Sequence, residues 1–245
     1  MRRKLFTFLL VSQICLGAYA QNVAEPVLYK KYFTYGGNIN SRGWNATFRY
    51  GVQSEEKKAT ELQCDFGRLK HEKEVRIVNT TFDNPKQYVF GRLNQTFVLR
   101  LGVNRKITLS DKLFNREVLV NFNYGAGFSG MILKPVYLEI YKRGQDQSKD
   151  VFAVEKYDPA IHNDQSVIYG SASFTYGLNE LQMKAGGYLK TSFTFEWGNE
   201  NERFKSIETG VVVDFYNQKI PIMAFSENHK TFVSLFAGFN LGNRW

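Results

Sequence analysis

The sequence predicts an all-β protein that crosses a membrane as an antiparallel up-and-down β-barrel of eight strands, with ten as the alternative. Three observations predict it. The N-terminus reads as an export signal. No apolar run after residue 20 approaches the ~20 residues that a membrane helix needs. Apolar and polar residues alternate with period two in segments of bilayer-crossing length, and the last of these segments closes on an aromatic residue.

The export signal comes first in the chain. Arg2, Arg3 and Lys4 form a positive region, Leu5 to Gly17 is mostly apolar but short, and Ala18-Tyr19-Ala20 is a small-residue cleavage motif. Residues 1–20 are therefore read as a signal peptide, 21–30 as a linker and 31–245 as the barrel. Cys15 is preceded by Ser12, Gln13 and Ile14, a poor lipobox. With Cys15 removed, Cys64 stands alone, so no internal disulfide can form.

The strand segments follow. Residues 31–39 alternate weakly. In 44–51, Trp44, Ala46, Phe48 and Tyr50 oppose Asn45, Thr47, Arg49 and Gly51. In 60–67, Leu62, Cys64 and Phe66 oppose Glu61, Gln63 and Asp65. In 96–104, Phe97, Leu99, Leu101 and Val103 oppose Val98, Arg100 and Asn104. Segment 117–125 sets Val118, Val120, Phe122 and Tyr124 against Glu117, Leu119, Asn121, Asn123 and Gly125, and 132–142 is weaker. In 188–197, Leu189, Phe193, Phe195 and Trp197 oppose Lys190, Ser192 and Glu196. In 206–216, Ile207, Thr209, Val211, Val213 and Phe215 oppose Ser206, Glu208, Gly210, Val212, Asp214 and Tyr216. The last segment carries Val233, Leu235, Phe239, Leu241 and the terminal Trp245 on matched positions. Strand side chains alternate between faces, so each segment has one lipid-like and one lumen-like face. A final strand with Phe239, Leu241 and Trp245 on one face also fits the C-terminal signal read by barrel-insertion machinery.

This gives nine segments where a bacterial barrel of one chain has an even number. Counted back from a periplasmic C-terminus, residues 44–242 supply eight crossings and 31–39 is left as an extra strand or plug. Residues 74–80 or 86–93 are the candidates for a tenth strand. On this count 143–186 and 217–229 are external loops, but 68–94 falls on the periplasmic side, against the rule that periplasmic turns are short. A soluble β-sandwich is the fold alternative.

The polar faces collect Arg49, Glu61, Asp65, Arg100, Glu117, Glu139, Lys190, Glu196, Glu208 and Asp214. The interior of an eight-stranded barrel is just filled by side chains, so these charges are expected to pair as a lumen network. A narrow pore or ligand cavity is the other reading of the same residues.

No residue pattern demands catalysis. Gly125 to Gly130 fits G-x-G-x-x-G, but that fingerprint needs a following helix, and a tight turn between strands is expected instead. Ser129 lacks the second glycine of a nucleophile elbow, because Met131 occupies its place. His162, near Asp158 and Ser166, and His229, near Ser226 and Glu227, are the candidates for a Ser–His pair. No metal or cofactor set is recognised, and no catalytic residue is assigned. The net charge of +9 falls to +6 without the three basic residues of the signal, and the excess is spread along the chain, which gives no support to a nucleic-acid partner. It suits a surface beside anionic lipid headgroups.

Several stretches taken together resemble a family of small outer-membrane β-barrel proteins of the Bacteroidota, most of them uncharacterised. They are Tyr35-Gly36-Gly37, Leu69-Lys70-His71, Tyr88 to Asn94, Lys134 to Glu139, Glu155 to Pro159, Glu208 to Val211, Ile220 to Ala224 and Gly242 to Trp245. Glu72 stands where the family tends to have proline, and Asn243 where it often has a basic residue. The resemblance implies a barrel in the outer membrane and brings no catalytic residue or cofactor. Ile220, Pro221, Ile222 and Met223 form an apolar run inside a long loop and are the candidate partner-contact loop. The expected function is that of a non-enzymatic outer-membrane barrel, a structural or accessory subunit of an assembly or protein-export machine. Its partners would be outer-membrane lipid, the insertion machinery and envelope proteins. A narrow pore or small-ligand channel and a lipid-modifying barrel enzyme are the alternatives.

Overall fold

A computed structural model describes residues 30–55, 57–110, 118–143, 150–197 and 203–245. The signal-peptide and lipobox assignments lie outside the described residues. The strands in chain order are β1 (Lys31–Asn40), β2 (Gly43–Glu55), β3 (Lys58–Leu69), β4 (Arg76–Ile77), β5 (Tyr88–Val89), β6 (Asn94–Ser110), β7 (Leu119–Pro135), β8 (Tyr137–Arg143), β9 (Asp150–Lys156), β10 (Ile168–Ser171), β11 (Gln182–Trp197), β12 (Arg203–Tyr216) and β13 (Thr231–Arg244).

Eight of these close an antiparallel barrel in the order β1-β13-β12-β11-β7-β6-β3-β2. Closure gives every wall strand a partner on both sides, so the wall has no edge strand. Segment 31–39 is not an extra piece. It is β1, and it closes the barrel by pairing with β2 on one side and β13 on the other, with Tyr35 opposite both Phe48 and Leu241.

The surplus strand arose elsewhere. Residues 125–130 are not a turn. They lie inside β7, which runs unbroken from Leu119 to Pro135 and pairs along its length with β6 and β11. The glycines there serve packing. Gly127 faces Gly102 across the ladder and Tyr188 on its other side, and Tyr188 is fully buried. A methyl group on Gly102 would strike the Tyr188 hydroxyl, and one on Gly127 would strike the β6 backbone. Inward glycine therefore opens the space that an inward aromatic fills. The same exchange recurs with Tyr32 over Gly51 and Phe204 over Gly242.

Merging two segments into one strand reverses the side assigned to everything before it. The strand ends at Lys31, Glu55, Lys58, Ser110, Leu119, Trp197, Arg203 and Arg244 share one end of the barrel. Residues 70–93, 136–143, 150–181 and 217–230 all lie at the other end, with the tight β1–β2 turn. The misplaced 68–94 connection is thereby corrected to the loop end, and short turns segregate from long loops as in membrane barrels.

The loop end carries further structure. Segment 74–80 and 86–93 give no tenth wall strand: β4 and β5 form a two-stranded ladder of their own. β10, β8 and β9 form a three-stranded sheet, which 132–142 enters by leaving the wall at Pro135. Tyr88, Val136, Leu138, Ile140, Tyr157 and Ile168 make its core.

The outer face of the wall is apolar. Trp44, Phe48 and Tyr50 on β2, Leu62 and Phe66 on β3, Leu101 and Val103 on β6, Leu189, Phe193 and Phe195 on β11, Ile207 and Phe215 on β12, and Val233, Leu235 and Phe239 on β13 are all exposed. Monomeric proteins in water rarely expose apolar patches beyond a few hundred Å². Here the patch is a belt around the molecule.

Candidate functional site: the filled lumen and its cap

The inward face is polar because the alternation puts every second residue there. Near the centre, Glu208 accepts hydrogen bonds from Ser192 (2.6 Å) and Lys190 (3.1 Å) and pairs with Arg49. Asp214 takes both Nε and Nη2 of Arg100, each at 2.7 Å, and the Ser129 hydroxyl at 2.8 Å. Asp65 accepts from Thr47 and from Gln63, the latter at 2.5 Å. Glu61 accepts from the Tyr32 hydroxyl at 2.6 Å. Glu196 pairs with Arg244 and, at 3.5 Å, with Lys106.

Among the described residues, five carboxylates and five cations thus share the lumen. An ion desolvated without a partner costs several kcal/mol, so this balance is what permits so many charges inside a closed wall. A gap bounded by Asn38, Asn45, Asp65, Arg100, Lys190, Val212 and Phe236 has a volume of about 10 Å³, room for about one water. The arrangement suits a plug better than a path.

Eight of the ten expected lumen residues lie in this interior: Arg49, Glu61, Asp65, Arg100, Lys190, Glu196, Glu208 and Asp214 are all buried. Glu117 lies outside the described residues. Glu139 is a correction. It sits on β8 beyond the wall, where it takes the Lys86 ammonium at 2.6 Å in contact with solvent. Lys106 and Arg244 were missed, although both continue the inward parity of Arg100 and Asn240 on their strands.

The apolar loop is a second correction. Ile220 and Ile222 are fully buried and Met223 nearly so. With Val89 they pack on the inward residues Leu69, Met131, Leu133, Tyr216 and Phe232 at the mouth of the barrel. The run is a stopper that seals the lumen, not a partner-contact surface. Asn228 fastens it: its side-chain oxygen accepts from Ile222 N (2.8 Å) and Met223 N (3.2 Å), and its amide donates to Met223 O (2.9 Å). The Asn94 amide holds Pro221 O at 2.7 Å, and Ala224 N reaches Gly91 O at 2.7 Å. Gly91 adopts φ +76°, a left-handed conformation that glycine takes without strain.

The histidines are engaged in local structure. His162 Nδ1 accepts from Asp158 N (3.0 Å) and its Nε2 lies 3.1 Å from Glu155, which the Lys142 ammonium also reaches. These partners hold the Glu155 carboxyl below the usual carboxylate range, Lys142 first and His162 second. Burial pushes the Tyr157 hydroxyl up beside it. His71 stacks on His229 with ring centroids 6.0 Å apart and joins Glu227 O to its own loop at 3.2 Å. Ser166 N and hydroxyl lie with Asp164, so Ser166 is not paired with His162. Among the described residues no group of three metal-ligating side chains occurs.

The C-terminal strand is paired on both edges. Trp245 exchanges backbone hydrogen bonds with Lys31 at 3.1 and 3.0 Å, and its ring lies 6.3 Å from Tyr50. Phe239 and Leu241 face outward beside Trp197 and Tyr35.

No family model matches this sequence, and no curated protein matches it. Among solved structures the chain is similar to Neisserial surface protein A (NspA), with a TM-score of 0.41 and 7% identity over 89% of this chain and 96% of that one. The attribution to a Bacteroidota family finds no support in these comparisons.

Proposed function

We propose that this protein is an outer-membrane barrel that acts as a non-enzymatic accessory subunit of an envelope assembly, with the wall as anchor and the loop-end module as contact surface. The observation that carries this reading is the combination of an apolar belt around a filled, charge-balanced and stoppered lumen. Such a barrel has a lipid-facing outside and little room for transport inside, which leaves the module to do the work. That module has its own core and an open strand. β9 is the last strand of its sheet, and no described strand pairs with its outer edge. An unpaired edge is a template for strand addition by another chain. Phe152 on that strand is half exposed and clusters with Phe82, Tyr141 and Tyr169. Aromatic residues are enriched at protein contacts.

The test is purification of the tagged protein at native abundance in a mild detergent, with companions identified by mass spectrometry. A stoichiometric set of envelope proteins is expected, reduced when Phe152 is changed to Asp. A strictly monomeric barrel would contradict the reading and return weight to a channel, which conductance recordings would then decide.

A further inference from the structure

We infer that a cleft lined by Arg68, Arg76 and Arg92 at the loop-end rim binds the phosphate of a lipid headgroup. The inference rests on the membrane reading above for the source of the ligand, and on the cleft itself for its chemistry. Gln87, Gln95 and Ser171 complete a lining that encloses about 290 Å³. Two of these three guanidinium groups share one carboxylate beside the cleft. Glu74, whose side chain is largely covered, lies 3.4 Å from Arg68 and 3.6 Å from Arg92, at the long end of ion-pair range for both. Two positive charges are left over. The buried Nε atoms of Arg68 and Arg92 have no hydrogen-bond partner among the described residues. Desolvation pushes the Arg92 guanidinium down, and neighbouring Arg68 and Arg76 add to this. A tetrahedral oxyanion would supply the missing charge and acceptors, and arginine forks match phosphate geometry.

Position selects the lipid source. Arg68 and Gln95 point to the outside of the wall, on the same faces of β3 and β6 as Phe66 and Phe97. Those two rings stack in the belt at 6.1 Å. Arg68 lies two residues beyond Phe66, roughly 7 Å farther along the strand. Arg68 and Gln95 therefore bring the cleft to the loop-end margin of the apolar belt, where headgroup phosphates would lie in a membrane. A second basic pair, Arg203 and Lys205, lies at the opposite rim. It serves as a control for unspecific charge.

The experiment is isothermal titration of the protein in octyl glucoside, a phosphate-free detergent, with dioctanoyl phosphatidic acid, dioctanoylglycerol and inorganic phosphate as probes. Phosphatidic acid is expected to bind more tightly than inorganic phosphate, and dioctanoylglycerol not to bind at all. The double variant Arg68→Gln/Arg92→Gln should weaken phosphatidic acid by at least about ten-fold, the scale of one lost charge-assisted hydrogen bond. Arg203→Gln/Lys205→Gln should change it by less than about two-fold, as expected of a distant exposed site. If the double variant does not fold, as judged by heat-modifiable migration, Arg76→Gln, whose side chain is exposed, is read in its place. No binding, or equal loss in the opposite-rim variant, overturns the inference. Inorganic phosphate binding as tightly as phosphatidic acid overturns the lipid source. Membrane fractionation is scored separately: a chain found outside membranes that still binds phosphatidic acid through these arginines refutes the membrane reading and leaves the site standing.

Discussion

Asp214→Asn should be among the most damaging isosteric changes in the protein. The carboxylate is fully buried and receives three hydrogen bonds, two from Arg100 at 2.7 Å and one from Ser129 at 2.8 Å. The amide keeps the size and one acceptor but loses the charge, so Arg100 is left desolvated without its partner. Breaking one side of a buried pair costs about 3–5 kcal/mol. Asp65 is the cross-strand neighbour of Arg100 on β3 and softens the loss, which places the expectation near the lower end, about 3 kcal/mol. Urea unfolding in detergent, followed by tryptophan fluorescence, gives the number. The decisive comparison is the double variant Arg100→Met/Asp214→Leu. It removes both charges and replaces them with apolar volume, so it should lie within about 1–2 kcal/mol of the parent. A cost under about 1 kcal/mol for Asp214→Asn would mean that water reaches Arg100, and would refute the sealed lumen. A double variant as unstable as the single one would show that the charges do more than neutralise each other.

Other perturbations probe the wall, the stopper and the module. Gly127→Ala places a methyl group against the β6 backbone and should cost about 1–3 kcal/mol by overpacking, whereas a residue in an open turn would tolerate it; the same urea assay decides. Asn228→Ala removes three hydrogen bonds from the stopper and should open residues 220–224 to proteolysis, at a local cost of about 1–3 kcal/mol, while the barrel keeps its heat-modifiable migration. The Glu155 pairs stabilise the module above the unfolded carboxylate pKa of about 4.3, and that contribution is lost as pH falls through the lower folded value. Because Glu155 is partly exposed the effect is about 0.2–1 kcal/mol. Amide protection in residues 150–162 should therefore be flat from pH 8 to 5 and fall below pH 4, and loosening that began near neutrality would contradict the assignment. Removal of Trp245 takes away its two backbone bonds to Lys31 and the ring beside Tyr50, and should lower the fraction of protein inserted in cells more than it lowers stability in detergent.

The wall was readable because its signal is local. Alternation within a strand is fixed by the pleat, and one lipid face against one lumen face makes it clean from Trp44 to Tyr50 and from Leu189 to Trp197. It failed where composition imitates another element. Gly125 to Gly130 looks like a turn because the side chains that fill the space over Gly102 and Gly127 come from β11, some sixty residues away in sequence. That one reading shifted the count and the side of the 68–94 connection. The stopper was misjudged for a related reason. Ile220 to Met223 is apolar in a loop, and only the partners Leu69, Met131, Leu133 and Phe232, drawn from three other strands, show that the loop folds inward. Glu139 alternates like a wall residue because it lies in a strand, but in a sheet beyond the rim. The Arg68, Arg76 and Arg92 cleft had no sequence signal, since its residues come from one wall strand and two points in a loop.

The most direct measurement of the central claim uses Cys64. It sits on the outward face of β3 between the exposed residues Leu62 and Phe66, in the middle of the apolar belt. A nitroxide attached there, with the protein in lipid vesicles, should relax more through collisions with dissolved oxygen than with a water-soluble nickel chelate. A label at Cys64 that meets the nickel chelate more often than oxygen would place the belt in water and contradict the membrane barrel.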